Sequence, residues 1–158
     1  MPRFFVAASN IFGGVAYMDG KDAEHLKVLR VKNGEEIIVC DGQGKDYRCR
    51  VTNIGGGSAE AEIVEAADSA GEPSIECRVY AAYPKGDKAE TIIQKSVELG
   101  AAEIIFFPSE RCVSKPDTAS VAKKLERWNK ISREAAMQSQ RGSIPAVRAI
   151  GSYNEAIN

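Results

Sequence analysis

The stretch that decides the fold is Tyr80-Ala-Ala-Tyr-Pro-Lys-Gly-Asp-Lys-Ala-Glu-Thr-Ile-Ile-Gln-Lys-Ser-Val-Glu-Leu-Gly100, followed by Glu103-Ile-Ile-Phe-Phe107. It reads as strand, tight turn, helix, strand. Ala89, Ile92, Ile93 and Val97, with the small Ser96 and Gly100, recur at spacings of three and four, so the helix has one buried face. Asp87 followed by Glu90 has the form of a capping box, and Gly100 is the expected stop. Ile104 to Phe107 is a continuous apolar run closed by Pro108, as expected of a strand covered on both faces. With a strand over Ile75–Tyr83 these pieces make a right-handed βαβ unit. Its turn, Pro84-Lys85-Gly86-Asp87, lies where open α/β sheets bind ligands. Those four residues also fit an ordinary turn with a solvated lysine. No P-loop and no Gly-x-Gly-x-x-Gly is present, so a nucleotide phosphate cradle is not supported.

Working outward, the first part of the chain reads differently. Phe4-Phe5-Val6 begins a short strand, and Asp22 caps a short helix with Ala23, Leu26 and Leu29 on one face. Asn33-Gly34 turns the chain. Strands are expected at Glu36–Val39, Tyr47–Ile54 and Ala59–Val64, separated by Asp41-Gly42-Gln43-Gly44 and Gly55-Gly56-Gly57. Short strands with regular glycine-rich turns point to a small barrel. Residues 1–68 are therefore an all-β module with one helix, 69–74 a polar linker, and 75–158 an α/β part. In that part Asp117 or Thr118 caps a long helix reaching about Arg141. Its apolar seam is Val121, Leu125, Trp128, Ile131 and Ala135, so Trp128 belongs to the core. Ser152 and Glu155 have the form of a further capping box. Two parallel strands are few for an α/β sheet, and the expectation is that the 158 residues are a fragment or that another chain finishes the sheet.

Composition limits the chemistry. The chain has 158 residues, 44% hydrophobic residues and a net charge of −1, so affinity for a polyanion must come from local basic patches. No apolar run approaches the ~20 residues of a membrane span. Cys40, Cys49, Cys77 and Cys112 are widely spaced, and the one histidine, His25, cannot complete a zinc site. Reduced core cysteines and a cytoplasmic setting are expected, with no metal. No Ser/His/Asp set or cysteine–base pair is present.

The basic residues are more suggestive. Arg3, Lys27, Arg30 and Lys32 cluster near the amino terminus, while Lys85, Arg111, Lys115 and Arg141 fall on loops or helix ends. With Tyr47, Tyr80 and Tyr83 near in sequence, they suit phosphate contacts and base stacking on RNA. Lys123, Arg127 and Lys130 read instead as a solvated helix face paired with glutamates.

A resemblance now enters. His25-Leu-Lys-Val-Leu-Arg30, Gly34-Glu-Glu, Asp41-Gly42 and Pro2-Arg3-Phe4-Phe5 resemble the bacterial small-subunit ribosomal RNA uridine N3-methyltransferases. So do Pro84-Lys85-Gly86-Asp87, Ile93-Gln94-Lys95, Glu98-Leu99-Gly100 and Ser109-Glu110-Arg111. The likeness continues through Arg127-Trp128, Glu134-Ala-Ala with Gln138, and Arg141 with Ile144-Pro145. It implies a PUA-like β-barrel that binds RNA, followed by a SPOUT-type α/β domain with a trefoil knot. It also implies methyl transfer from S-adenosylmethionine to N3 of a uridine in 16S ribosomal RNA, by a cytoplasmic homodimer acting on assembled small subunits. Arg3, Arg30, Lys85, Arg111 and Arg141 are then the RNA-contact candidates, with Arg141, Gln138 and Glu134 near the target base. The family's Gly-Pro-Glu-Gly-Gly and Leu-Gly…Leu-Arg-x-Glu-Thr-Ala motifs, which hold the cofactor, do not occur in these 158 residues. No cofactor-binding residue is assigned, and the expectation is a chain lacking the carboxyl-terminal third and inactive alone. The competing readings are a non-catalytic RNA-binding module and, further off, a small-molecule α/β enzyme.

Overall fold

The computed structural model describes residues 1–112 and 117–157; Lys115 and Asn158 lie outside the described residues. In chain order the elements are β1 (Arg3–Phe5), β2 (Ile11–Phe12), β3 (Val15–Asp19), α1 (Gly20–Val28), β4 (Glu36–Cys40), β5 (Lys45–Gly55) and β6 (Ser58–Asp68). They continue with β7 (Arg78–Ala82), α2 (Lys88–Glu98), β8 (Glu103–Phe107), α3 (Thr118–Gln138), β9 (Ala146–Ala149) and α4 (Tyr153–Ile157). The chain divides into two compact units. One is Met1–Glu72 with Gln140–Ser143; the other is Pro73–Ser139 with Ile144 onward.

The first unit is a six-stranded sheet in the order β1-β4-β5-β6-β3-β2. Only β1 and β4 run parallel. The β4–β5 turn is built by Asp41, whose Oδ1 accepts from the N–H groups of Gln43 at 2.7 Å and Lys45 at 3.1 Å, an Asx turn. Along β4 and β5, Ile37, Val39, Cys49 and Val51 point inward while Arg50 and Thr52 point out, the period-two pattern of a half-buried sheet. The core joins these to Phe4, Ala16, Met18, Ala23, Leu26, Ala59 and Ala61. His25 of α1 meets Phe4 of β1 edge to face, with ring centroids 5.6 Å apart, and α1 also packs on β3 and β6. On a flat sheet β1 and β3, four places apart, would be about 19 Å from one another. One short helix reaches both because the sheet curls, and the unit is a PUA-like β region.

Several local expectations are corrected here. The N-cap of α1 is Asp19; Asp22 lies inside the first turn. Leu29 is 46% exposed, so the buried face of α1 is Ala23 and Leu26. Cys40 and Cys49 are the buried, free cysteines expected, but Cys77 is exposed and Cys112 only half-buried, so those two are not core residues. Strand β3 was not anticipated. The segment expected to be a plain linker is fastened: Ser69 N–H donates to Gly44 O at 2.8 Å, and Ser69 Oγ donates to Asp46 Oδ2 at 3.1 Å.

The second unit holds a parallel sheet in the order β7-β8-β9. The central β8 carries Ile104, Ile105, Phe106 and Phe107, all buried, which explains its unbroken apolar run. Ala89, Ile93 and Val97 of α2 are buried, with Ile93 and Val97 each contributing roughly 1.5–3 kcal/mol. Trp128 of α3 packs on Phe106 with centroids 4.6 Å apart, in the core as expected. Gly100 stops α2 at φ 93°: its N–H donates to Val97 O and that of Ala101 to Ser96 O, a Schellman ending.

Three expectations change in this unit. Asp87 is the N-cap of α2, yet its carboxylate makes no cap bond, and Glu90 pairs with Arg127 instead of closing a capping box. The first strand is shorter than expected, with Ile75 75% exposed and Cys77 on the surface. A third strand, β9, is present. It is held on one side by β8 and on the other by Asn129, whose amide nitrogen donates to Val147 O and whose carbonyl accepts Val147 N–H, each at 3.0 Å. The Asp117 cap of α3 is as expected, accepting Ser120 N–H at 2.7 Å. At α4, Glu155 N–H donates to Ser152 Oγ while the Glu155 carboxylate accepts Gly151 N–H.

Candidate functional site

Parallel strands end together, and their carboxyl ends leave backbone groups and loops facing an open space. Here β7 and β8 end at Ala82 and Phe107, and a cleft of about 590 Å³ opens beside them. Its walls are Pro108, Ser109, Glu110 and Arg111 on one side and Ser152, Tyr153 and Asn154 on the other. The Tyr153 ring lies 5.6 Å from that of Phe107. The 109–112 turn is fixed from below: Cys112 Sγ accepts Ser109 N–H at 3.3 Å and approaches Tyr83 O at 3.5 Å. The cleft thus combines two aromatic faces, three hydroxyls, an amide, a carboxylate and a guanidinium. That set suits a heterocycle with a polar tail, at a size ordinary for small-molecule sites.

The expected turn Pro84-Lys85-Gly86-Asp87 borders a separate hollow of about 90 Å³, lined also by Glu90, Lys124, Arg127 and Trp128. That is too small for a nucleotide. Lys85 itself is exposed. Glu134 and Gln138 are exposed on α3 and, with Gln94, line a dimple of about 140 Å³.

The arginines separate clearly by their partners. Seven of them, from Arg3 to Arg148, each face a carboxylate, and Arg133 is also engaged. Arg30 and Arg111 have no ion-pair partner among the described residues. Arg3 is held bidentately by Asp46 at 2.8 and 2.6 Å, with a side chain 9% exposed. Arg141 is buried against Glu72, which its Nε and Nη2 reach at 2.9 and 2.8 Å. Glu72 also accepts Gly142 N–H, Ser143 N–H and Ser143 Oγ–H. Burial alone would raise the Glu72 carboxyl, but these donors, Arg141 foremost, hold it down at about 2.

Cys40 and Cys49 have thiols pushed up to about 11 by burial, so neither is a nucleophile at neutral pH. Among the described residues no group of three or more His, Cys, Asp or Glu could hold a metal ion, and no helix is long and apolar enough to cross a membrane. Lys130 pairs with Glu126 and Arg127 with Glu90, as expected of a solvated helix face.

Sequence reasoning found Arg111 but missed Ser109, Tyr153 and Asn154 as its companions. Their only signal is position after a strand or at a helix start. Arg141 drew attention as a cation on a helix end, although its counter-ion lies 69 residues away.

Comparison with known proteins agrees with this architecture. Residues 71–158 match the RNA methyltransferase domain family, and residues 18–64 match the RNA methyltransferase PUA domain family. The chain is 35% identical over 139 residues to a ribosomal RNA small subunit methyltransferase E of Bacillus subtilis, covering 87% of this chain and 54% of the relative. To that of Mycobacterium tuberculosis it is 34% identical over 149 residues, covering 93% and 56%. It therefore spans about half the length of the curated relatives it matches. Among solved structures, a methyltransferase E from Neisseria gonorrhoeae, described as bound to S-adenosyl methionine, superposes with a TM-score of 0.89. It is 35% identical and covers 100% of this chain and 65% of that one. A Legionella pneumophila protein described as a putative methyltransferase with the same cofactor gives a TM-score of 0.83 at 26% identity, covering 94% and 62%. With its PUA-like sheet and its α/β unit matched in the same order, the chain belongs to the ribosomal RNA small subunit methyltransferase E family.

Proposed function

We propose that the polypeptide carrying these residues transfers a methyl group from S-adenosylmethionine to N3 of a uridine in 16S ribosomal RNA. The observation that carries this reading is the overlap of the whole chain with a methyltransferase described as bound to that cofactor. The donor would supply an electrophilic methyl on a sulfonium. The cleft at the ends of β7 and β8 supplies one wall for it, where Phe107 and Tyr153 exclude water and Ser109, Ser152 and Asn154 offer polar contacts. The two cofactor motifs of the family do not occur among the 158 residues, and the 158-residue polypeptide by itself is expected not to transfer methyl.

The chain's own residues would dock and orient the RNA. Arg30, with Lys27 and Lys32, grips phosphates from the first unit, and Lys85 and Arg111 do so from the second. Arg3 and Arg141 can join them only by exchanging Asp46 or Glu72 for a phosphate. The target uridine must leave its stack for N3 to be reached. We set Gln138 and Glu134 beside the base, the first to donate to a uracil carbonyl and the second to accept the N3 proton. Alignment of the two reactants can take about 7–11 kcal/mol off the barrier of such a displacement. We place the reaction in the cytoplasm, on assembled small subunits, by a homodimer.

Labelled methyl transfer to small subunits lacking the modification tests the reading. The 158-residue chain is compared with the same chain joined to the part of the Neisseria gonorrhoeae relative that it does not cover. Label in 3-methyluridine with the joined form alone is the expected result. Label elsewhere sinks the N3 assignment, and transfer by the short chain sinks the expected inactivity. RNA binding without transfer by either form favours a non-catalytic RNA-binding module.

A further inference from the structure

We infer that the left-handed backbone at Arg30 is a conformational cost retained so that a guanidinium, where glycine would be the easier residue, stands at the end of α1 and grips RNA. This rests on the RNA-docking reading above. Helix α1 closes with Arg30 N–H donating to Lys27 O and Val31 N–H donating to Leu26 O, each at 3.0 Å. Helix α2 closes with the same pair of bonds, from Gly100 to Val97 and from Ala101 to Ser96. Both endings need a residue at positive φ, 57° at Arg30 and 93° at Gly100. A side chain with a Cβ is disfavoured there, and glycine is the usual solution. The same chain therefore uses glycine at one ending and arginine at the other.

Gln140, at φ 58°, is the other non-glycine residue in this region and holds the corresponding place after α3, one residue beyond its C-cap Ser139. Its carbonyl lies so close to Gly71 that a Cβ on Gly71 would sit 2.2 Å from it. Nothing comparable holds Arg30, whose exposed side chain makes no hydrogen bond or ion pair among the described residues. Its surroundings match a polyanion with apolar faces. Val28 and Leu29 are 76% and 46% exposed, and Lys27 and Lys32 flank them. Of the nearby acids, Glu35 is turned onto the Lys32 backbone N–H at 3.2 Å, and Glu24 is exposed one turn earlier. Cations can meet phosphates here while the two apolar side chains meet sugar or base surfaces.

The test is Arg30→Gly in the 158-residue chain, with stability and RNA binding read on the same sample. The thermal midpoint of the first unit is expected to rise by about 4 °C, through relief of the strain. Affinity for a fluorescent small-subunit RNA fragment is expected to fall about five- to tenfold. The slope of log affinity against log salt should become shallower by about 1, because one phosphate fewer is neutralised. Arg30→Lys, which keeps both charge and strain, is expected to leave the midpoint unchanged and to weaken binding only about two- to threefold. A lower midpoint in Arg30→Gly overturns the inference, because the side chain would then be holding the fold. A higher midpoint with unchanged affinity and slope overturns it as well. If the unaltered chain binds no RNA, the docking reading fails and this inference with it. If the chain binds but Arg30→Gly binds equally well, this inference alone fails.

Discussion

Replacing Glu72 by Gln removes one charge from a cluster of five donors and leaves the shape almost unchanged. In the folded chain Arg141, Gly142 and Ser143 all donate to this carboxylate. They hold it at about 2 against an ordinary 4.5. That fall corresponds to about 3 kcal/mol favouring the ionised form in the native state. The sign follows from linkage: a depressed carboxyl stabilises the fold fully above its unfolded value and loses that contribution as the pH falls towards its folded value. Wild type should therefore exceed Glu72→Gln by about 3 kcal/mol at pH 7. The loss can approach about 3–5 kcal/mol, because Arg141, 3% exposed, is left without its charge partner. The gap should narrow from about pH 4.5 downward and be nearly closed near pH 2. Urea unfolding at several pH values measures it, read by amide hydrogen exchange in β4–β6. The first unit has no tryptophan, since Trp128 lies in the second. An equal stability at pH 7, or a gap independent of pH, would refute the reasoning.

Two further outcomes follow from single contacts. Asn129→Ala deletes both amide bonds to Val147 and is expected to cost about 2 kcal/mol; the Val147 amide should exchange faster with solvent, and unchanged protection would argue against this anchor. With an aromatic disulfide reagent at pH 8, Cys77 is expected to react quickly, while Cys40 and Cys49 react only on unfolding.

The parts legible in the sequence were those with a long period. The face Ala89, Ile93 and Val97 and the run Ile104–Phe107 are local patterns, and tertiary packing reinforces what they announce. Strand β9 was missed because four residues with a single buried side chain, Val147, carry too little alternation. Its real support is Asn129, a poor helix former in mid-helix, which was a usable clue. The Asp87–Glu90 spacing suggested a capping box, but a carboxylate goes to the stronger partner, and Arg127 lies within reach. For the candidate site, charge type alone could not separate Arg3 and Arg141 from Arg30 and Arg111. The distinction lies in distant counter-ions, Asp46 and Glu72, and those are supplied by the fold.

The return of Gln140–Ser143 to the first unit has a consequence for synthesis. Gly142 O accepts from Gly44 N–H at 3.2 Å and from the Cys40 thiol at 3.0 Å, while Gln43 pairs with Ser143. None of these bonds can form when the ribosome has delivered only the first 72 residues. Gly142 follows Glu72 by 70 positions, which at about 5–20 residues per second is a delay of roughly 4–14 s. During that interval the nascent sheet waits with Glu72 unpartnered, and the last piece of its interior arrives only after the whole of α3 has been translated.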